Sequence, residues 1–409
     1  MADCCCRLLF RHSGSKRNKM VIQHRFRPVI TAVPQFAVEA SSPPLISEPC
    51  VFGAHDSSRI QGHGFGYGPD IHLKAFGEYM ERFVAYRSIG SSGYATINEL
   101  NVSLETKSAL NAAITEACGD EQTGQSVAGH RFDTVEVLDL SSGETVRLPR
   151  ILFSLHTTKD QQFVPTRDTS GSALHVNKEA AFQNAVLEFV ERQSLAAMWA
   201  SKRCQALSVL EPDNVADRRI KTLLQRLSMR GMLRCYNISF LKGAHVLFVV
   251  YKARSESDFV QFACGASAAF SWQAALSKAL TEVWQTSVLL PQMNFFDSTE
   301  YGGGELKECF QKANRSDYDL DLEVAPLFGL NGEDGSLVEL RQSLLDVSKS
   351  MFAFSQSQYM GLSKLTFCKL FSPDFFIHMN PGAGNNNQNR WLQTIARDRP
   401  LRLTSMPFS

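Results

Sequence analysis

Apolar and polar positions follow a helical period in FQNAVLEFVERQSLAAMW, residues 182–199. The apolar residues recur at spacings of three and four, which predicts a helix with one stripe packed on a core. Asn184, Glu188 and Glu191 stack over one another on the other side of this helix, with Arg192 beside them. Two carboxylates one turn apart repel each other unless a cation lies between them. The acidic face therefore indicates a site for positive charge.

The same spacing occurs in LKAFGEYMERF (73–83) and ALSKALTEVWQ (275–285). Each stretch has a polar residue, a Glu four positions later, and a Glu or Gln three positions after that. These residues are Lys74, Glu78 and Glu81 (followed by Arg82) in the first, and Lys278, Glu282 and Gln285 in the second. One such face is typical of a solvated helix, and three unrelated amphipathic helices remain the alternative. Three copies in one frame favour an internal duplication around one shared site.

Each acidic helix follows a segment rich in Gly or other small residues. The segments are GHGFGYG (62–68), TSGSA (169–173) and CGASAAF (264–270). Small residues let the backbone approach a ligand closely, so we expect their N–H groups to contact phosphate. The Gly-rich run at 62–68 is weak evidence for a dinucleotide-binding fold, because no clear strand precedes it.

The remaining pattern mixes strands and helices without a strict βαβ order, which favours an α+β (mixed α/β) fold. Expected strands are MLRCYNISF, HVLFVVYKA, FVQFACGA, a hairpin with a following strand within 134–156, and 365–371. Expected helices are 71–87, 102–118, 182–199, 216–230, 273–289 and 336–352. Residues 298–335 are turn-rich and are expected to form a lid or peripheral insertion, and GNNNQNRWLQ (384–393) is expected to be a polar tail.

Residues 1–30 contain seven Lys or Arg and a single acid, Asp3. Such a start resembles an organelle transit peptide. A disordered basic arm, or an upstream start codon before Met20, explains it with fewer assumptions. We therefore expect residues 1–50 to form a disordered extension and leader, and 51–409 to form the catalytic domain, with core motifs in 58–290 and a C-terminal part in 291–409.

Composition excludes several functional classes. The formal net charge is +1, so nothing global favours binding to nucleic acid or to an anionic membrane. The longest apolar runs, such as VLFVVY (246–251), are far shorter than the roughly 20 residues that span a bilayer. The ten cysteines include no Cys-x-x-Cys pair, so we expect reduced thiols in a cytoplasmic protein.

Five glutamates would meet in one cleft if the three helices converge: Glu78, Glu81, Glu188, Glu191 and Glu282. Oxygen ligands of this kind favour Mg²⁺, which in such settings usually bridges to phosphate oxygens. Arg82, Arg192 and Lys278 would then contact the phosphates of a nucleotide. The chain contains no Walker motif and no kinase motif set. A glycosidase is possible in principle, but it would use two acids and not a threefold pattern with basic residues attached.

The ordered motifs resemble those of the YcaO proteins. The resemblance is carried by GEYMER (77–82), by SGSA (170–173) followed by Glu-x-x-Glu-Arg, and by KALTEVWQ (278–285), and it spans roughly residues 58–290. RDTSGSALH (167–175), SPDFFIHMN (372–380) and the terminal MPF extend it to the YcaO subunits of microcin B-type azole synthetases. This similarity covers nearly everything after residue 50.

The resemblance implies a YcaO-like fold with internally duplicated helix–strand units around a central ATP cleft. It also implies ATP- and Mg²⁺-dependent cyclodehydration of Ser, Thr or Cys in a ribosomal precursor peptide, giving oxazolines or thiazolines. Similar systems contain an E1-like subunit that binds the leader peptide and an FMN-dependent azoline dehydrogenase. Carried over by position, the Mg²⁺ ligands are Glu78, Glu81, Glu188, Glu191 and Glu282. The expected ATP-binding residues are Glu78, Arg82, Ser172, Glu188, Arg192, Lys278 and Gln285, and the expected catalytic residues are Glu191, Glu282 and Ser409.

The chain departs from the family pattern at several positions. Lys74 stands where many members have Ser, and Lys278 stands where many have Arg. Azoline-forming members commonly end in a Pro-rich tail whose carboxylate reaches the active site, whereas this chain ends Met406-Pro407-Phe408-Ser409 with one proline. His378 could shuttle protons, but its apolar neighbours favour a structural role. Two other functions remain open, namely thioamide or amidine formation at the same site, and a non-catalytic ATP-binding scaffold.

Overall fold

The computed structural model describes residues 71–293, 320–327 and 333–406, together with parts of the chain before residue 67. The described parts there are 9–10, 20–21, 36–40, 50–56 and 60–66, and residues 120, 157–158, 213–214, 216, 361–362, 383 and 398 are left out of the later ranges. The expected lid at 298–335 lies mostly outside the described residues. The division at residue 50 stays a prediction.

Helices and strands alternate irregularly along the chain, which confirms the predicted α+β class. The helices are α1 (Ile71–Phe83), α2 (Leu104–Cys118), α3 (Glu121–Ser126), α4 (Lys178–Ser201), α5 (Arg218–Arg230), α6 (Trp272–Met293), α7 (Leu337–Val347) and α8 (Arg390–Ala396). The early strands are β1 (Leu9–Phe10), β2 (Met20–Val21), β3 (Phe36–Ala40), β4 (Cys50–Asp56), β5 (Gln61–Gly66), β6 (Gly93–Ala95), β7 (Phe132–Asp139), β8 (Thr145–Pro149) and β9 (Ser172–His175). The later ones are β10 (Arg203–Cys204), β11 (Ala206–Val209), β12 (Gly231–Asn237), β13 (His245–Ala253), β14 (Phe262–Ala269), β15 (Glu323–Val324), β16 (Phe352–Met360) and β17 (Ser363–Phe371).

Three antiparallel sheets position the acidic helices. A three-stranded sheet has the order β3-β4-β5 and is covered by α1. A six-stranded sheet runs β6-β7-β16-β17-β9, with β8 paired to β7. A four-stranded sheet runs β11-β12-β13-β14, with α5 and α6 on one face. In each sheet the strand nearest an acidic helix, namely β5, β9 or β14, is an edge strand.

Helix α4 lies between the two larger sheets and is the centre of the fold. Asn177 caps its first turn by accepting a hydrogen bond from the Ala180 N–H at 2.8 Å. Its last eight residues, Ser194 to Ser201, are all buried. Ala173 of β9 and Ala268 of β14 both belong to the hydrophobic core around this helix. The sequence predicted one apolar stripe on this helix, but the buried surface of α4 is wider than that stripe, because α4 packs on protein from several sides.

Three local predictions are wrong. No strand follows the 132–149 hairpin, because Pro149 ends β8 and Arg150 turns inward to pair with Asp133 at 2.7 Å. The helix expected to reach 352 ends at Val347, and the alternating segment from Phe352 forms strand β16. The expected polar tail at 384–393 contains a buried network that includes Asn385 and Asn386, and it leads into helix α8. Asparagines alone gave no sign of burial, which depends on the loop backbone at 373–378 that these side chains bind.

Helix length and hydropathy also bear on the membrane question. Among the described residues, no helix is both long enough and apolar enough to cross a membrane.

Candidate active site

The three acidic helices converge around the edges of β5, β9 and β14. An edge strand has N–H groups without a strand partner, and a buried carboxylate needs hydrogen-bond donors. Helices α1 and α4 pack on opposite faces of the sheet at β9, which brings Glu81 towards Glu188. Helices α4 and α6 pack on opposite faces at β14, which brings Glu191 towards Glu282. The predicted convergence of the five glutamates is therefore present in the structure.

The α1 and α6 units have the same construction, atom by atom. Gly62 of β5 lies against the backbone of Ala75 and Tyr79, and Gly265 of β14 lies against that of Ala279 and Val283. In both helices these contacts are three residues before and one residue after the glutamate. A Cβ at either glycine would collide with helix backbone, so only glycine allows such close packing.

Each of these glutamates accepts a hydrogen bond from the residue after the glycine. The His63 N–H donates to Glu78 Oε2 at 2.6 Å, and the Ala266 N–H donates to Glu282 Oε2 at 2.9 Å. The Ala268 N–H, two residues along the same edge, donates to Glu191 Oε2 at 3.1 Å. These three N–H groups were expected to contact phosphate. That expectation is wrong for them, because they already serve buried carboxylates.

Arg192 lies between the two carboxylate pairs. Its Nε is 3.9 Å from Glu188 Oε1 and 3.8 Å from Glu191 Oε1. One terminal nitrogen donates to Met379 Sδ at 2.9 Å, which fixes the direction of the guanidinium. Burial by itself would lower the pKa of Arg192, but the attraction of Glu191, Glu188 and Glu282 outweighs it and raises the pKa. This side chain therefore stays charged.

Glu81 is held by the hydroxyl of Ser172. Ser172 Oγ lies 2.7 Å from Glu81 Oε1 and 2.6 Å from the carbonyl oxygen of Thr169. The hydroxyl has a single proton, so it donates to one of these two oxygens at a time. Burial raises the pKa of Glu81 to about 7, with Glu78 adding to the shift, although the hydrogen bond donated by Ser172 acts in the opposite direction.

Burial is the main cause of the raised pKa values of the other central carboxyls. It raises the pKa of Glu282 to about 8, with repulsion from Glu191 adding to the shift. The pKa of Glu188 is also well above its ordinary value because of burial and of Glu81, and burial likewise raises that of Glu191. The side chains of Glu188 and Glu191 nevertheless keep 26% and 14% of their surface exposed, so a ligand can reach them.

The cleft contains more negative than positive charge. Its carboxylates are the five glutamates and Asp168, whereas its cations are Arg82, Arg167, Arg192, Lys278 and Lys369. Among the described residues, no three His, Cys, Asp or Glu side chains are grouped closely enough to hold a metal ion by themselves. Mg²⁺ typically takes one or two carboxylates and completes its coordination with phosphate oxygens and water. The pairs Glu81–Glu188 and Glu191–Glu282 fit that requirement.

The other predicted site residues lie at different distances from the cluster. Arg82 pairs with Glu78 at 2.6 Å on the outer side of α1. Lys278 is exposed on α6 but is near enough to influence Glu191 and Glu282 electrostatically. Gln285 is partly exposed one turn after Glu282, and Ser409 lies outside the described residues.

Sequence reasoning missed Asp168 and Lys369 in this cleft. Asp168 accepts hydrogen bonds from the Ser170 and Met379 N–H groups, both at 2.9 Å, and so ties the loop before β9 to the loop after β17. Lys369 is 5% exposed within β17. A usable signal existed for Lys369, because it stands between Phe367 and Phe371 on the buried face of an apolar strand.

His378 has the structural role that its neighbours indicated. It is 1% exposed, and its ring nitrogens bond to backbone, with Nε2 3.1 Å from the Gly384 carbonyl and Nδ1 accepting from the Asn380 N–H at 3.2 Å. These bonds shape the loop that carries Met379.

Comparisons with known proteins identify the family of this chain. The family described as YcaO cyclodehydratase, ATP- and Mg²⁺-binding, matches residues 72–323. The microcin B17-processing protein McbD of Escherichia coli is 26% identical over 338 residues, which cover 78% of this chain and 83% of that protein.

Solved structures show the same fold. A chain of the E. coli microcin synthetase McbBCD complex with pro-MccB17 bound matches with a TM-score of 0.74 and 22% identity, over 94% of this chain and 99% of that one. A heterocyclase in complex with substrate and cofactor matches with a TM-score of 0.66 and 14% identity, over 91% of this chain and 54% of that one. The family match extends over more than half of the chain, so the protein belongs to the YcaO cyclodehydratase family of ATP- and Mg²⁺-binding enzymes, as its motifs predicted.

Proposed function

We propose that this chain is the YcaO subunit of an azole-peptide synthetase. It would convert Ser, Thr or Cys residues of a ribosomally made precursor peptide to oxazolines or thiazolines at the expense of ATP. The observation that carries this proposal is the convergence of five glutamates on three strand edges, with Arg192 between two carboxylate pairs. The similarity to McbD of E. coli favours a peptide of the microcin type as the substrate.

The proposed reaction moves one oxygen atom from peptide to phosphate. The side-chain oxygen or sulfur attacks the preceding carbonyl carbon, and the former carbonyl oxygen becomes an oxyanion. That oxygen takes the γ-phosphoryl group and leaves as phosphate when the C=N bond of the azoline forms, so that ADP and phosphate are the by-products. An amide oxygen is a poor leaving group and its phosphate is a good one, which explains the requirement for ATP.

The residues of the cleft have distinct parts in this scheme. Mg²⁺–ATP supplies the phosphoryl group and neutralises its charge. The five glutamates (Glu78, Glu81, Glu188, Glu191 and Glu282) would hold Mg²⁺, with Glu191 and Glu282 nearest to the chemistry. Arg82, Ser172, Arg192, Lys278 and Gln285 would orient the nucleotide. The edge N–H groups at His63, Ala266 and Ala268 fix the carboxylates before the nucleotide arrives.

The C-terminal residues are expected to contribute the Ser409 carboxylate. The described chain supports this expectation up to Met406, which is 4% exposed and packs with Trp199 and Met379. The Trp199 indole N–H donates to the Thr404 carbonyl at 2.8 Å, which anchors the segment along α4. Met379 also contacts Arg192, so the last anchored residue is one side chain away from the acidic cluster.

We further propose that the chain acts in the bacterial cytoplasm within a synthetase complex. Its partners would be an E1-like subunit that binds the leader peptide and an FMN-dependent dehydrogenase that oxidises azolines to azoles. Support comes from the match to a chain of the E. coli McbBCD complex over 94% of this chain. No part of the proposal involves nucleic acid or a membrane.

The test uses phosphate release and peptide mass together, with the full chain, the partner proteins and a candidate precursor. Each ring should release one phosphate and remove one water from the peptide mass. Glu191→Gln should abolish both signals, because it removes a charge that the metal requires. Glu179→Gln, exposed in the first turn of the same helix, is the matched control and should retain activity. Ring formation by the Glu191 variant would refute the site assignment.

A further inference from the structure

Lys369 is a buried ammonium group that the scheme above does not use. It lies two residues before the end of β17, directly opposite Ser172 of β9 in the antiparallel register. Directly opposed residues project to the same face of a sheet, so Lys369 shares a face with Ser172 and through it with Glu81. With only 5% of its surface exposed, the side chain points into the protein.

The ammonium group has spare hydrogen-bonding capacity. Its Nζ donates to the Asp168 carbonyl oxygen at 2.8 Å. A lysine has three N–H donors, and within the described chain this is the one hydrogen bond that Lys369 forms, with no carboxylate in ion-pair contact. Asp168, Glu188 and Glu81 are nevertheless close enough to attract it electrostatically, and Arg167 is close enough to repel it. A buried charge with unused donors is costly unless a ligand completes its surroundings.

Two roles are compatible with a lysine in an acidic cleft. As a structural counter-ion it would pair directly with a carboxylate, which the described residues do not show. As a ligand-binding group it would stand apart from the carboxylates, so that an anion could lie between it and their metal. Its main-chain bond to Asp168 supports the second role, because it fixes the nitrogen without using a carboxylate.

We propose that Lys369 binds phosphate oxygens of the nucleotide from the Glu81–Glu188 side of the cleft, opposite Lys278. This inference rests on the proposed function only because it takes the ligand to be a nucleotide. The side chain extends from a strand that is paired on both sides, by β16 and β9, so its position is fixed before binding. Phosphates would then be bound by Lys369 on one side and by Arg192 and Lys278 on the other. This geometry also gives a reason for a lysine on an otherwise apolar, buried strand.

The test compares nucleotides that differ only in their phosphates. Calorimetry on the full chain in saturating Mg²⁺ would give Kd for a non-hydrolysable ATP analogue, ADP and AMP. Lys369→Met should weaken the analogue and ADP by about tenfold or more, the usual effect of one charge-assisted hydrogen bond. Binding of AMP should change less than about twofold, because AMP lacks the β- and γ-phosphates that Lys369 would bind. Lys369→Arg should restore part of the loss.

Lys364→Met, exposed on the same strand, is the matched control and should leave all three Kd values unchanged. Unchanged analogue binding by Lys369→Met, together with a lowered Tm without nucleotide, would show a structural counter-ion and overturn the proposal. Equal weakening of AMP would overturn it too. If the Met variant does not fold, Lys369→Gln gives the same comparison. No peptide is present, so failure of the wild-type chain to form rings would not affect this result.

Discussion

The α1–β5 and α6–β14 units differ in how they neutralise the same glutamate. Gly62 and Gly265 allow the same close packing, and an edge N–H binds Glu78 in one unit and Glu282 in the other. Four residues after its glutamate, however, α1 has Arg82, which pairs with Glu78 at 2.6 Å. The corresponding residue of α6, four positions after Glu282, is Thr286. The α1 unit therefore supplies a cation for its own glutamate, and the α6 unit has none at the corresponding position.

The difference shows where the cleft needs an external cation. Glu282 depends on Arg192 and Lys278, and these do not compensate for burial and for Glu191, so its pKa rises to about 8. The position three residues after the glutamate also differs, since α1 has Glu81 and α6 has Gln285. The α1 unit thus contributes two acids and a base, and the α6 unit contributes one unbalanced acid. We infer that Glu282 gains more from Mg²⁺ than Glu78 does.

The largest expected effect comes from removing the unbalanced charge. Glu282→Gln should lower ring formation and Mg²⁺–nucleotide affinity by about 100-fold or more, while Glu78→Gln costs about tenfold, because Arg82 already offsets Glu78. Without nucleotide at pH 8, Glu282→Gln should raise Tm, since it removes a buried charge. Titration calorimetry and thermal melting would measure both effects. Equal losses for the two variants would remove the distinction between the units.

The shared glycine packing predicts equal damage in both units. Gly62→Ala and Gly265→Ala should each lower the free energy of unfolding by about 2–4 kcal/mol, because the new methyl group collides with helix backbone. Gly77→Ala is the matched control, since no atom lies within 4 Å of its Cβ position, and it should be neutral or stabilise α1 by up to about 1 kcal/mol. Chemical denaturation would measure all three. Tolerance of alanine at Gly265 alone would show that the units are not equivalent.

The raised pKa values predict a pH dependence without Mg²⁺ or nucleotide. Glu81 and Glu282 have folded-state pKa values of about 7 and about 8, above the ordinary 4.5. Between pH 4.5 and these raised pKa values, the folded state binds more protons than the unfolded state. Stability should therefore fall as pH rises from about 4.5 to 8 and level off outside that window. At roughly 1.4 kcal/mol for each pKa unit, the loss should be on the order of several kcal/mol.

Thermal melting between pH 5 and 8.5 would test this dependence. Glu81→Gln should remove its share of the slope between about pH 4.5 and 7, and Glu282→Gln should remove its share between about pH 4.5 and 8. Glu179→Gln, exposed on α4, should leave the slope unchanged. A Tm that rises with pH through this window would contradict the assignment of these carboxyls as the destabilising groups.

Much of this site could be predicted from the sequence, because the helical period fixes which side chains share a face. The spacing of Glu188 and Glu191, repeated in the two other helices, identified the five acids, and their convergence was a hypothesis that the structure confirms. The fold class followed from the mixed pattern of strands and helices. The small-residue segment that contains Gly265 was expected to contact phosphate, whereas in the structure Gly265 packs closely against helix α6.

The missing parts depend on pairing between distant strands. Nothing local in CGASAAF shows that β14 is an edge strand, and only an edge strand has N–H groups at Ala266 and Ala268 available for glutamates. Lys369 enters the cleft because β17 pairs with β9, almost two hundred residues earlier in the chain. Asn385 and Asn386 were missed for a different reason, because they bind the backbone of a nearby loop at Ile377, and that loop conformation is not visible in the sequence.

The smallest expected effect comes from giving α6 the arginine that α1 has four residues after its glutamate. Thr286→Arg should give Glu282 the helical neighbour that Arg82 gives Glu78, lowering the pKa of Glu282 and flattening the pH dependence near pH 8. The stabilisation should stay below about 1 kcal/mol, because the natural pair is already 34% and 33% exposed and solvent screens it. Thr286→Gln, of similar length without charge, is the control. The new arginine would neutralise part of the negative charge of Glu282 that otherwise attracts Mg²⁺. Mg²⁺ affinity should therefore fall while the stability of the protein without Mg²⁺ rises. An increase in both would contradict the comparison of the two units.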